Sequence, residues 1–125
     1  MYKRQESTIN RRWNSCDGAV ITAWVTARYP VQGETWAAFR DRIQAAIKKL
    51  VASNPEGNVA IFTSATPTAI SVAHSMDLTE QKMFALAGVM INSAISVLRL
   101  SNGELRMFNF NSVPHLDDAA LRTHR

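Results

Sequence analysis

The sequence has few of the residues on which disulfide-bonded, membrane-spanning or exported proteins depend. It contains one cysteine, Cys16, among 125 residues, so no disulfide can form within the chain. No run approaches the roughly 18 consecutive apolar residues that a membrane span requires. No secretory signal with a cleavable apolar segment opens the sequence. These absences predict a cytoplasmic protein that makes no membrane contact.

Motifs of several enzyme and cofactor classes are also missing. The three histidines, His74, His115 and His124, do not combine with Cys, Asp or Glu at the spacing of metal ligands, so we expect no metal. There is no glycine-rich phosphate loop, nucleophile elbow or dinucleotide fingerprint, and we expect no cofactor. Cys16 is interpreted as a buried or neutral thiol, with a reactive thiol as the alternative.

The positive charge of the chain is partly concentrated in its first residues. The formal net charge is +4, and residues 1–5 resemble one translated frame of a transposase adapter used for sequencing libraries. Setting aside Lys3 and Arg4 of this expected scar lowers the net charge to +2, because each carries one positive charge. The other basic residues are scattered and form no stripe with interleaved aromatics, so we expect no nucleic-acid partner.

Apolar periodicity predicts helices over the first two thirds of the chain. A short helix is expected within residues 15–29, and a longer one from residue 36 to about residue 53, with Thr35 as its N-cap. The apolar stripe of the longer helix comprises Trp36, Phe39, Ile43, Ala46, Ile47 and Leu50. Thr79 is expected to open a further short helix, over residues 80–87.

The segment from residue 58 to residue 76 predicts a strand, a tight loop and a helix. Residues 58–63 form a continuous apolar run bounded by turn signals, which is typical of a strand buried on both faces of a parallel sheet. Thr66 is expected to cap the following helix, with Pro67 at its first position.

The last third of the chain predicts a β-hairpin. Residues 94–100 and 104–110 are rich in strand-forming residues, and Asn102-Gly103 between them suits a type I′ turn. We expect Phe108 and Phe110 to lie in the core, as Trp36 and Phe39 do. A final turn is expected within residues 117–121.

The loop after the predicted strand is the candidate binding site. Ligands of open α/β sheets bind beyond the carboxyl ends of the strands, where a helix N-terminus offers unpaired amides to an anion. Thr63, Ser64 and Thr66 would place three hydroxyls beside those amides, which favours a phosphate-binding cradle. The alternative is that Thr66 caps the helix while the other two hydroxyls satisfy local backbone groups.

Four segments, taken in order, resemble the histidine phosphatase (phosphoglycerate mutase-like) family. Residues 33–43 are similar to the Gly-Glu-Ser/Thr helix opening of the family, and residues 59–67 to its strand and loop. Residues 92–96 and 110–116 resemble its later Asn-containing strand and its terminal Asn and His-Leu pattern. The resemblance implies an α/β fold class, with residues 6–125 as the C-terminal part of a three-layer domain that has a mainly parallel sheet and a C-terminal antiparallel hairpin.

The resemblance also implies what this chain lacks. The family uses an N-terminal Arg-His-Gly motif, whose histidine takes up the phosphoryl group, and a second histidine after a later strand. The sequence contains no Arg-His-Gly, and Ser64 occupies the place of the second histidine. Ala65 and Thr66 stand where the family has two glycines. We therefore expect a truncated, inactive relative of a phosphatase or phosphomutase.

Three hypotheses remain open at the level of sequence. The first is a truncated histidine phosphatase-like protein whose parent acts on phosphorylated small molecules or phosphoproteins. The second is a non-catalytic phosphate-binding or interaction module of the same fold, and the third is a self-contained α/β protein whose resemblance is coincidental. Truncation would expose an unpaired sheet edge bearing Val59, Ile61 and Phe62, and self-association through that edge is expected.

Overall fold

The computed structural model describes residues 15–30 and 32–124, in which helices precede a β-hairpin. The helices are α1 (Ser15–Val25), α2 (Trp36–Ala52), α3 (Ala65–Ser75) and α4 (Glu80–Gly88); the strands are β1 (Ile95–Ser101) and β2 (Glu104–Ser112), followed by a 3-10 turn at Ala119–Leu121. These elements confirm the helices, hairpin and final turn predicted from the sequence. The expected adapter scar at residues 1–5 lies outside the described residues.

Two threonines begin helices as the sequence indicates. The Ala38 N–H donates to Thr35 Oγ1 over 3.2 Å at the start of α2, and the Lys82 N–H donates to Thr79 Oγ1 over 3.4 Å at the start of α4. Each bond satisfies an amide that the first helical turn would otherwise leave unpaired. The N-cap predicted at Thr35 is confirmed.

The core lies between α2, α3 and α4. Its buried cluster comprises Trp36, Ala69, Ile70, Ala73, Met83 and Ala87. Around Trp36, the rings of Trp24, Phe39 and Phe84 lie with centroids 5.3, 6.0 and 4.8 Å away. Small residues on α3 let the neighbouring helices approach closely, so the large rings of α1 and α2 can close one side of this core.

The hairpin pairs β1 with β2 in antiparallel register. Arg99 faces Arg106, Ser101 faces Glu104, and the register shifts near Val97. Asn102 and Gly103 have φ values of 53° and 77°, as a type I′ turn requires. The two strands form the sheet of the described residues.

Two expectations about burial change in the structure. Phe108, expected in the core, is 57% exposed, and the Arg99 guanidinium carbon lies 3.6 Å from the centroid of its ring. The shift in register near Val97 leaves Phe108 on the outer side of the sheet, where a cation can cover it. Cys16 is exposed on α1, so the expectation of a buried thiol is wrong, while that of a neutral thiol stays a prediction.

Residues 58–63 do not form a paired strand in the described part of the chain. Val59, Ile61 and Phe62 are 50%, 65% and 97% exposed, so the burial expected for this run is not seen in the described residues. The parallel sheet needs a neighbouring strand that the described residues do not supply, and it stays a prediction. None of the described helices has the length and apolar character required to cross a bilayer.

Candidate functional site

The loop before α3 places Ser64 at the N-terminus of that helix. Ser64 is the N-cap, with φ −110° and ψ 179°, and α3 begins at Ala65. The predicted capping role of Thr66 is therefore wrong, because Thr66 and Pro67 are the second and third residues of the helix. Pro67 fits there since the first turn of a helix leaves its amides without intrahelical partners.

The side chain of Ser64 is not used to cap the helix. Ser64 and Thr63 are exposed and Thr66 is half-buried, and within residues 15–30 and 32–124 their hydroxyls make no hydrogen bond. The Ser64 carbonyl instead accepts bonds from the Thr68 N–H and hydroxyl, at 3.2 and 2.9 Å. Because the local backbone does not use these three hydroxyls, they remain available to a ligand.

The first turn of α3 also leaves backbone donors open. Pro67 has no N–H, and the Thr68 N–H is bonded to Ser64, so the N–H groups of Ala65 and Thr66 are the unpaired donors of this turn. The partial positive charge of the helix end acts in the same direction. The loop can therefore offer two amides and up to three hydroxyls to an anion.

The histidine of α3, His74, lies far from this loop. His74 occupies the last turn of α3, about 15 Å along the helix axis from Ser64 at 1.5 Å per residue. It lines a groove with Trp36, Arg40 and Glu80. His74 therefore cannot take the place of a histidine at position 64.

Three polar groups of that groove, those of Trp36, Arg40 and Glu80, contact each other. The Trp36 Nε1–H donates to Glu80 Oε1, and Arg40 Nη1 lies 3.7 Å from the same oxygen. Trp36 and Glu80 are 44 positions apart, so sequence spacing gave no signal for this contact. The bond holds α4 against α2, which indicates a structural role for the groove.

Glu34 forms a two-bond ion pair at the beginning of α2. Arg42 donates from Nε and Nη2 to the two carboxylate oxygens, both at 2.8 Å. The hydrogen bond from Arg42 is the main cause that lowers the pKa of Glu34 from its ordinary value. The Trp24 Nε1–H donates to the Glu34 carbonyl over 3.0 Å. Glu34 thus joins α1 to α2, and its carboxylate is already occupied.

Asn111 is a structural residue that the analysis of the sequence did not identify as one. Its Oδ1 accepts from the Ile91 N–H at 2.8 Å, and its Nδ2 donates to the Val89 carbonyl at 3.0 Å. Its own N–H donates to Ser96 Oγ at 3.1 Å, and its φ is 55°. Asparagine tolerates this left-handed conformation better than most residues. The residue fastens the end of β2 to the segment that follows α4.

Metal binding has no support in the described residues. No group of three or more His, Cys, Asp or Glu side chains in the described ranges could hold a metal ion. The candidate site is therefore the anion-accessible loop at Thr63, Ser64 and Thr66. Its donors are hydroxyls and amides, which suit a phosphate group.

Comparison with known proteins identifies the family. No curated protein sequence and no solved structure matches the chain. The family model of the histidine phosphatase superfamily (branch 1) matches residues 2–113, which include the candidate loop and the whole hairpin. A match of this extent excludes a coincidental resemblance, and the chain belongs to the histidine phosphatase superfamily.

Proposed function

We propose that this chain is the C-terminal part of a histidine phosphatase-like protein that binds or acts on phosphorylated small molecules or phosphoproteins in the cytoplasm. The observation that carries the proposal is the loop at Ser64, in a chain that belongs to this superfamily. The hydroxyls of Thr63, Ser64 and Thr66 and the two open amides would contact the phosphate. This arrangement uses the N-terminal end of a helix as an anion site.

We further propose that the chain is inactive as a phosphatase. The family resemblance assigns phosphoryl uptake to an Arg-His-Gly motif, and the 125 residues contain none. Serine at position 64 can donate a hydrogen bond, but it cannot supply the cationic donor that imidazole provides near neutral pH. Loss of one positioned acid or base commonly lowers a rate by about 10² to 10⁴, and loss of the nucleophile removes the covalent route.

A non-catalytic phosphate-binding module is the second candidate, and one observation favours it. His74 lies at the far end of α3 from the loop, so this helix offers no histidine as a substitute general acid. Binding would persist without turnover in such a protein. The two candidates therefore agree on the site and differ in what the parent protein does.

Titration with inorganic phosphate tests the shared site. We expect saturable amide chemical-shift changes centred on Ala65 and Thr66, and a several-fold weaker affinity for Ser64→Ala. Ser101→Ala on the hairpin is the matched control, since Ser101 is also exposed, and it should bind as the unaltered protein does. Absence of saturable shifts, or equal weakening by both variants, contradicts the proposal.

The genomic locus upstream of the codon for Glu6 separates the two candidates. An open reading frame that encodes Arg-His-Gly after a strand supports truncation. The restored protein would then be assayed with an aryl phosphate, with Ser64 and with Ser64→His. Hydrolysis that rises in Ser64→His supports a weakened phosphatase, whereas phosphate binding with no hydrolysis in either form supports the binding module.

A further inference from the structure

The two strands of the hairpin bring two arginines face to face. Arg99 on β1 is the register partner of Arg106 on β2, and both side chains are exposed. Directly paired residues of an antiparallel sheet lie on the same face, with Cβ atoms about 4.5–5.5 Å apart, and like charges in such a pair destabilise it. Both residues belong to the continuous segment 95–112, so the hairpin itself sets this arrangement.

An irregularity in the strand pairing places an aromatic ring beside the two arginines. The register shifts between Val97 and Leu98, which leaves Phe108 without a partner on β1. Such a bulge changes the direction of a side chain, and Phe108 lies on the exposed side with the Arg99 guanidinium over its ring. A guanidinium over a ring face keeps the N–H groups at its own edge free for other acceptors. The ring therefore holds Arg99 in an orientation that allows it to bind an anion.

Neither guanidinium is neutralised by a close carboxylate of the described residues. Arg99 forms no ion pair with them, and Arg106 has one long contact, with Glu104 at 3.7 Å. The two side chains of that contact are 68% and 73% exposed, and so exposed a pair contributes little to stability. Charge complementarity therefore favours an anion from outside the described chain, which would also relieve the repulsion between the two arginines.

We propose that Arg99 and Arg106 bind the phosphate group of a phosphorylated small molecule between their guanidinium groups. Each guanidinium presents a fork of N–H donors that matches two oxygens. A carboxylate has two oxygens and is satisfied by one fork, whereas a phosphate monoester has three terminal oxygens and can accept from both. Its charge of about −1.5 to −2 at pH 7 offsets both arginines. The hairpin site involves other elements than the loop at Ser64, so it does not depend on the function proposed for that loop.

Titration with inorganic phosphate at constant ionic strength tests the hairpin site, because screening by added salt is then the same at every point. We expect saturable changes in the Nε–H signals of Arg99 and Arg106, and an affinity about fivefold to tenfold weaker in Arg99→Gln and in Arg106→Gln. Arg99→Lys keeps the charge but loses the fork, so it should also weaken binding. Arg28→Gln is the matched control, because the Arg28 guanidinium also lies over a ring, that of Tyr29, but outside the sheet.

Three further comparisons separate this site from general attraction to positive charge. Glu104→Gln removes the carboxylate near Arg106 and should tighten phosphate binding, and acetate should bind several-fold more weakly than phosphate. Ser64→Ala should leave the hairpin signals unchanged, so the two sites can fail separately. Far-UV circular dichroism of each variant should match that of the unaltered protein, which separates loss of binding from unfolding. No saturable change at the two arginines, equal weakening by Arg28→Gln, or acetate bound as tightly as phosphate overturns the proposal.

Discussion

At the scale of single residues, Asn111 stabilises the connection between the helices and the hairpin through its side-chain hydrogen bonds. Its side chain satisfies one donor and one acceptor of the segment between α4 and β1, the Ile91 N–H and the Val89 carbonyl. Both groups belong to a connection without regular secondary structure, so no helix or strand would satisfy them in its place. The residue therefore determines how the hairpin is attached to the helices.

Replacing Asn111 should destabilise the protein. Asn111→Ala removes both side-chain bonds and puts alanine at a φ of 55°, so we expect a loss of about 1–3 kcal/mol in the free energy of unfolding. Urea denaturation at fixed protein concentration measures the loss. Asn58→Ala is the control, because Asn58 is exposed and its side chain makes no hydrogen bond within the described residues. Equal losses in the two variants would contradict this role.

At this scale, the sequence predicted a residue's role where its hydrogen bond joins residues close together in the chain. Thr35 was recognisable because its oxygen bonds an amide three residues later, within the same stretch of sequence. At α3 the same reasoning chose Thr66, although Ser64 is the N-cap. Pro67 suits any position of the first turn, so it could not fix where the helix starts. The bond from Trp36 to Glu80 depends on how two helices pack, and no local pattern encodes it.

At the scale of secondary-structure elements, two glycines differ in backbone conformation. Gly103 has a φ of 77° in the hairpin turn, whereas Gly18 lies inside α1, and a Cβ atom at either position would meet no atom within 4 Å. Space is therefore available at both positions. The conformation of the backbone decides the effect of a substitution.

Alanine at these two positions should change stability in opposite directions. Gly103→Ala should cost about 1–2 kcal/mol, because an L-residue is strained in the left-handed region. Gly18→Ala should gain roughly 0.5–1 kcal/mol, since alanine favours a helix and loses less conformational entropy on folding. Thermal unfolding of the two variants checks the signs. A gain for Gly103→Ala would show that the turn differs from the one described.

The elements that could be predicted from the sequence are those whose signal, such as apolar spacing or a turn dipeptide, lies within one continuous segment. Amphipathic spacing predicted α2, and Asn102-Gly103 predicted the hairpin. The apolar run at residues 58–63 predicted a buried strand, but the structure shows an exposed segment without strand pairing in the described residues, because a run of residues does not identify its partner. A sheet depends on pairing between distant segments, and the described residues supply no neighbour for this one.

At the scale of the whole molecule, stability depends on a small core around Trp36. Trp36 is 4% exposed and contacts aromatic rings from α1, α2 and α4. Truncation of a buried tryptophan typically costs about 3–5 kcal/mol. Domains of this size have only about 5–15 kcal/mol of net stability.

Trp36→Ala should therefore unfold a large share of the protein or lower its melting temperature strongly. Near-UV circular dichroism and a thermal scan at one fixed concentration measure the effect, since association would otherwise shift the midpoint. Tyr29→Ala is the control, because Tyr29 is 61% exposed, and it should change stability little. A cooperative transition of Trp36→Ala at an unchanged temperature would place the main core elsewhere.

The family could be inferred at this scale because its motifs occur in order along the chain, and the match over residues 2–113 bears that inference out. The chemistry of the candidate site could be predicted only as far as residue types allow. The resemblance predicts Ser64 at the place of a family histidine, but whether the Ser64 hydroxyl is free of a capping bond depends on where α3 begins. Only the structure showed that no capping bond occupies it.

The order in which the elements contact each other has a consequence for the rate of folding. α2 packs on α1 and α3, α3 on α4, and β1 on β2, so most contacting elements are neighbours in the chain. Chains rich in local contacts close short loops and fold in microseconds to milliseconds. The bridge between Ile91 and His124 closes a longer loop, so it should form after the hairpin that it encloses.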